Sequence, residues 1–166
     1  TSILGELAIN TSDCSSTMTD ISSSASVNIN DFGKLNAGDL NCRGSIELHN
    51  RSQLITTRTD HSGEIISENS IYICDGQHLS RTHAKTTLKN STEAFAINWN
   101  EEGQASLAAG AHLTATNLTT QFGSLLTLKQ SRIVSDEFEH GGELRADTVA
   151  KLHVMKKLHA KDLSTL

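Results

Sequence analysis

Gly44-Ser45-Ile46-Glu47-Leu48 is answered by Gly63-Glu64-Ile65-Ile66-Ser67, with the two glycines 19 positions apart. The same figure is a glycine, a polar residue, an aliphatic, any residue, and often a second aliphatic or an alanine. It stands at Gly5-Glu6-Leu7-Ala8-Ile9, at Gly123-Ser124-Leu125-Leu126-Thr127 and at Gly142-Glu143-Leu144-Arg145-Ala146. Gly123 and Gly142 are again 19 apart. Self-similarity at a fixed period is the signature of a stacked repeat architecture.

Carried outward, the register passes through Leu7, Val27, Ile46, Ile65, Leu88, Leu107, Leu125, Leu144 and Leu163, in steps of 18 to 23 residues. The irregular parts are the Ser/Thr-rich stretch 10–26 and the longer step between Ile65 and Leu88. A second apolar station follows at Leu54, Ile73, Ile133 and Leu152, and a third at Leu40, Leu79, Phe122, Phe138 and Leu158. Three stations per repeat imply three short strands per turn. Locally the pattern alternates with period two, as in Ile71-Tyr72-Ile73, Leu152-His153-Val154 and Leu158-His159-Ala160, so successive side chains point in and out. Residues 145–163 have some helical propensity, but their apolar positions do not share one helical face and read as strands.

One coil of about 19 residues cannot bury its own apolar stations; coils stacked about 4.8 Å apart can. The sequence therefore predicts an all-β parallel β-helix of about nine coils. It reads as one domain over residues 1–166, a piece of a longer repeat protein. Glycine is expected where a corner needs positive φ or where backbones approach closely. The residue after each glycine should face solvent and the next should face in, which makes Leu125 and Leu144 stacked inward neighbours.

The composition fits a stack. Hydrophobic residues are 36% and aromatics 4%, with 11 glycines, no proline and a formal net charge of −5. That balance gives no reason to expect nucleic acid or an anionic membrane as partner. No segment has the ~18 apolar residues that membrane insertion requires, and no basic-then-apolar leader opens the chain. Cys14, Cys42 and Cys74 lack metal-site spacing and are expected to be packing residues, with a Cys14–Cys42 bridge as the alternative.

Candidate chemistry is sparse. Asp20, Asp39 and Asp60 are 19 and 21 apart, with Arg58 nearby, and could stack as an outward column of the kind β-helix lyases and hydrolases use for acid–base or calcium chemistry. The plainer reading is solvated corner residues. In Asp136-Glu137-Phe138-Glu139-His140, the two glutamates should flank an inward Phe138, as a solubilising surface rather than a cation site. His153 and His159 should face outward without metal spacing. Trp99 and Tyr72 are expected as ordinary surface rather than sugar-stacking residues. Asn10, Asn50, Asn90 and Asn117 lie in glycan-acceptor sequons. No nucleophile elbow or phosphate loop is present. Hence no catalytic, cofactor-binding or metal residue is assigned, and no cofactor is expected.

The Gly-x-Leu-x-Leu/Ala coils, the 19-residue period and the proline-free, Asn/Ser/Thr/Gly-rich composition resemble the haemagglutinin repeats of filamentous haemagglutinin-like proteins. The pattern covers most of the chain and is clearest over residues 107–146, continuing to 166. The resemblance implies a right-handed parallel β-helix. It further implies a non-enzymatic shaft or ligand-presenting segment of a bacterial adhesin or contact-dependent toxin protein, exported by two-partner secretion to the cell surface or beyond. No secretion-domain motif is present. The expected partners are a host-surface glycan or protein receptor and, end to end, another copy. The alternatives are a carbohydrate-active β-helix enzyme (a polysaccharide lyase or hydrolase) and a self-assembling β-helical filament.

Overall fold

A computed structural model describes residues 1–160. In chain order the strands are β1 (Ser2–Ile3), β2 (Glu6–Asn10), β3 (Asp13–Ile21), β4 (Ser26–Asn30), β5 (Lys34–Cys42) and β6 (Ser45–Leu48). Next come β7 (Gln53–His61), β8 (Glu64–Glu68), β9 (Ile71–Ser80), β10 (Lys85–Lys89), β11 (Glu93–Glu101) and β12 (Gln104–Ala108). The series ends with β13 (His112–Thr120), β14 (Leu125–Lys129), β15 (Arg132–His140), β16 (Glu143–Ala146) and β17 (Lys151–Ala160). No helix occurs among the described residues.

Odd-numbered strands form one nine-stranded sheet and even-numbered strands an eight-stranded one, each in strict sequence order. Neighbouring strands are parallel throughout, as in Val27↔Ile46 and Ile46↔Ile65. The chain is a parallel β-solenoid of about eight turns, each made of one short and one long strand. The ninth expected station, Leu163, lies outside the described residues.

The long strand supplies two of the three expected stations because it bends. In β5, Leu35 and Ala37 point inward, the adjacent Gly38 and Asp39 both point outward, and Leu40 and Cys42 point inward again. Two successive outward residues break the alternation and turn the second half of the strand onto a new wall. The residue just before the bend is small in coil after coil, as at Ala37, Thr56, Ala96, Ala115 and Ser135. The stretch 151–160 is β17, extended as expected.

The two corners use different backbone chemistry. After the short strands the chain turns through left-handed residues: Asp31 (φ 47°), Asn50 (φ 53°), Asn69 (φ 50°) and Asn90 (φ 52°). Asn and Asp are the non-glycine residues that tolerate this region best. Before the short strands the requirement is space. A Cβ on Gly63 would run into the backbone carbonyl oxygen of Gly44 in the coil beneath, while the Gly44 carbonyl accepts the Glu64 N–H at 2.9 Å. Close backbone approach therefore explains this glycine, with no positive φ.

That corner also explains where the expected register fails. It takes two residues at 43–44, 62–63 and 102–103, but four at 22–25, 81–84 and 121–124. In the last of these Gly123 is a turn residue (φ 86°), and Ser124 takes the place that glycine holds elsewhere, its carbonyl accepting the Glu143 N–H. The strand after it is displaced by one. Leu126, not Leu125, stacks on Leu144, and Leu125 lies beside Glu143 facing out. Likewise Thr86 and Ala105 continue the Ile46–Ile65 column. Leu88 and Leu107 belong to the second inward column, two residues on, with Ile29 and Leu48. Phe122 is a turn residue, 76% exposed, and not a core station.

The aliphatic columns are fully enclosed. Val27, Ile29, Ile46, Leu48, Ile65 and Leu88 are each 0% exposed. Each such side chain contributes about 1.5–3 kcal/mol through burial, which only the coils above and below provide.

Candidate functional site

The three aspartates do not form one column. Asp20 stacks on Asn41, which stacks on Asp60; Asp39 lies between Met18 and Arg58 in the next outward column. The four-residue corner at 22–25 adds two residues to that coil, so position 41 rather than 39 lands over Asp20. Two strand steps put Asp20 and Asp60 about 10 Å apart. Asn41 Nδ2 donates to Asp20 Oδ1 at 2.8 Å. Asp60 accepts a two-pronged bond from Arg81 Nε (2.9 Å) and Nη2 (2.6 Å), with Arg58 at 3.7 Å. The Arg81 guanidinium holds the Asp60 carboxyl below its ordinary value, which suits an ion pair and not a proton donor.

In the second acidic stretch, Glu137 is exposed, Glu139 half-buried and Phe138 buried between them, as the alternation predicts. Asp136 pairs with Lys156 Nζ at 2.6 Å. His140 departs from the expected surface patch: it points inward, with Nδ1 2.7 Å from Thr120 Oγ1. His153 and His159 are exposed on separate halves of β17. Asn10, Asn50 and Asn90 lie exposed at the left-handed corners. The third sequon residues Ser52 and Thr92 are buried there, and the Thr92 hydroxyl donates to the carbonyls of Ser67 and Lys89, each at 2.8 Å. Corner geometry therefore accounts for these sequons. Asn117 sits at the bend and donates to Asn98 Oδ1 at 2.8 Å.

Trp99 and Tyr72 are the clearest corrections. Both are inward, at 1% and 0% exposure. Trp99 stacks on His78 with centroids 3.8 Å apart, and Tyr72 Oη lies 2.7 Å from His78 Nδ1. The cysteines are unbridged: Cys42 and Cys74 are buried, whereas Cys14 is exposed rather than packed. Cys14 and Cys42 lie on different halves of the long strands, so the alternative bridge is not formed.

These rings pack beside a buried polar column that the residue pattern did not point to. The last inward residues of successive long strands, β5 to β15, are Cys42, His61, Ser80, Glu101, Thr120 and His140. Their partners explain them. Glu101 accepts bonds from Ser80 Oγ (2.5 Å), Gly103 N (3.1 Å) and Trp99 Nε1 (3.4 Å). The Cys42 thiol reaches the Gly44 carbonyl at 3.5 Å. His61 Nε2 lies 3.2 Å from Thr86 Oγ1. The available signal was a polar or sulfur-bearing residue two before a corner glycine, as in Cys42-Arg43-Gly44, His61-Ser62-Gly63 and Glu101-Glu102-Gly103. Burial raises Glu101 to about 7 and lowers His61 to about 4. Both are sealed from solvent, at 0% and 1% exposure, so they satisfy core and corner polar groups rather than meet a substrate. Among the described residues, no group of three or more His, Cys, Asp or Glu side chains is placed to hold a metal ion.

The outer wall ahead of the bend carries the remaining feature. Ile55, Ile73, Phe95 and Val134 point outward along it, flanked at the bend by Ile97 and Met155. Phe95, Ile97 and Met155 are 38%, 44% and 58% exposed. They line an open groove of about 270 Å³. Through Asp75 it joins a more polar groove of about 450 Å³ over Ser15, Asn36 and Thr57. This surface presents apolar and hydroxyl contacts with isolated carboxylates at its margin, an arrangement suited to binding. No family model, curated protein or solved structure matches the chain.

Proposed function

We propose that this chain is a non-enzymatic structural shaft, or ligand-presenting segment, of an exported bacterial adhesin or toxin-delivery protein. One observation carries the reading: coil follows coil with corners of two to four residues and no inserted loop between residues 5 and 147. Active sites on repeat scaffolds are built from loops or clustered polar side chains. Here the outward carboxylates of the Asp20–Asn41–Asp60 column are spaced apart and tied to Asn41 and Arg81. A stack whose outer walls repeat without interruption is suited to holding whatever it carries at a distance.

Two measurements test this. Antibody raised against the chain should label intact source cells; labelling only after permeabilisation would overturn the export reading. A panel of neutral and acidic polysaccharides should survive incubation with the chain. Turnover that disappears in Asp60→Asn would replace the shaft with a carbohydrate-active enzyme.

A further inference from the structure

We infer that two copies of this chain associate side by side and antiparallel through the outer wall of β9 to β17. The apolar stripe is an exposed patch of a kind that marks an interaction site. Phe95 and Ile97 stand out on β11 and Met155 on β17, while Thr114, Ala115 and Thr116 leave a shallow centre on β13. The charges around the stripe identify the occupant.

Glu93 opens β11 and Arg132 opens β15, two strand steps apart in one outward column with His112 between them. Both are exposed. Asp75, at the bend of β9, is exposed, and Lys156 stands 64% exposed at the bend of β17, where it also pairs with Asp136 of its own molecule at 2.6 Å. Asp75, Glu93 and Arg132 take part in no ion pair among the described residues.

A twofold axis parallel to the strands and lying over β13 reverses the order of coils and keeps each column in place. β11 of one copy then faces β15 of the other, and β9 faces β17. Phe95 meets Val134, Glu93 meets Arg132 and Asp75 meets Lys156, each contact made twice, as an isologous interface requires. Thr116 meets its own symmetry mate. A twofold axis along the stack would instead set each coil against itself, and β11 has no Lys or Arg to receive Glu93. Opposite charges fix the register while the apolar stripe is removed from water.

Sedimentation equilibrium tests the pairing, with thermal melts to verify folding. The wild type should be dimeric. Glu93→Arg and Arg132→Glu should each weaken the dimer by about tenfold or more, and the double swap should restore it to within about threefold. Within one molecule these side chains are too far apart for the swap to rescue anything. In a Cys14→Ser background, Thr116→Cys should form a covalent dimer on oxidation, whereas Asn36→Cys should not. A wild type monomeric at about 100 µM, a swap that fails to restore the dimer, or cross-linking absent at 116 would overturn the inference. Oligomers indifferent to Glu93→Arg would also overturn it, assigning association to the ends of the stack. None of these results would touch the shaft reading, which depends on surface display and glycan stability.

Discussion

Replacing Glu101 with Gln should make the fold less sensitive to pH. Glu101 is 0% exposed, and burial lifts its carboxyl from an ordinary 4.5 to about 7. Between those values the folded chain holds a proton that the unfolded chain has released, so stability falls as pH rises from 4.5 through 7 and levels off above. At about 1.4 kcal/mol for each pH unit between them, ionising Glu101 costs the fold about 3 kcal/mol. His61 runs the other way. Burial lowers it from 6.5 to about 4, so its contribution is full above 6.5 and is lost as pH falls toward 4. Both proteins retain His61, and it cancels in their difference. Gln keeps the shape and an acceptor for Gly103 N–H while removing the charge; its altered contact with Trp99 is a constant offset. Urea denaturation of both proteins at several pH values from 4.5 to 8 gives the curves. The wild type should lose about 3 kcal/mol relative to Glu101→Gln across that window. Parallel curves would refute the reasoning, showing that Ser80, Gly103 and Trp99 stabilise the carboxylate enough to offset its desolvation.

Two further outcomes follow from the stacking. Gly63→Ala should cost at least about 2 kcal/mol by driving the backbone off the Gly44 carbonyl, while Gly5→Ala, with nothing within 4 Å of the new Cβ, should be nearly neutral; paired thermal melts compare them. Leu126→Asp, which places an unpartnered carboxylate in a column 1% exposed, should cost several kcal/mol and open the C-terminal coils to protease, whereas Leu125→Gln should stay within about 0.5 kcal/mol of wild type.

The fold was legible because stacking demands repetition. Leu7, Val27, Ile46 and Ile65 form one column where the sequence places them. Legibility failed where coil length changed. The four-residue corners at 22–25, 81–84 and 121–124 shift the next strand without altering its composition. Asp39 therefore missed the Asp20 column, and Leu126 took the inward position expected of Leu125. The buried polar column was illegible for another reason. His61, Glu101 and Trp99 carry polar groups that sequence patterning assigns to solvent, and only the three-dimensional corner reveals the amides, carbonyls and hydroxyls that make their burial tolerable. Trp99 was misplaced by residue type, and Tyr72 because the alternation was anchored on Ile71 and Ile73, the expected station, which face outward while Tyr72 and Cys74 face in.

A parallel stack repeats each side-chain position along one axis, so a wall becomes a set of rows whose character is fixed by what changes between coils. A row of one sign repels its own copy in either orientation. A row that changes sign along the axis attracts a reversed copy, because reversal brings each end against its opposite. The row through Glu93, His112 and Arg132 changes sign, and so does the bend from Asp75 to Lys156. The first change is centred on β13, where the side chains are small enough for two walls to approach, while at the bend Asp136 of β15 also contacts Lys156, at 2.6 Å. Coincidence of the Glu93–Arg132 charge reversal and a shallow centre on one strand is what selects antiparallel pairing over end-to-end growth as the contact written into this wall. It also locates the perturbation to which that contact is most sensitive: a charge placed at Thr116 would meet itself across the axis, with no reversed partner to neutralise it.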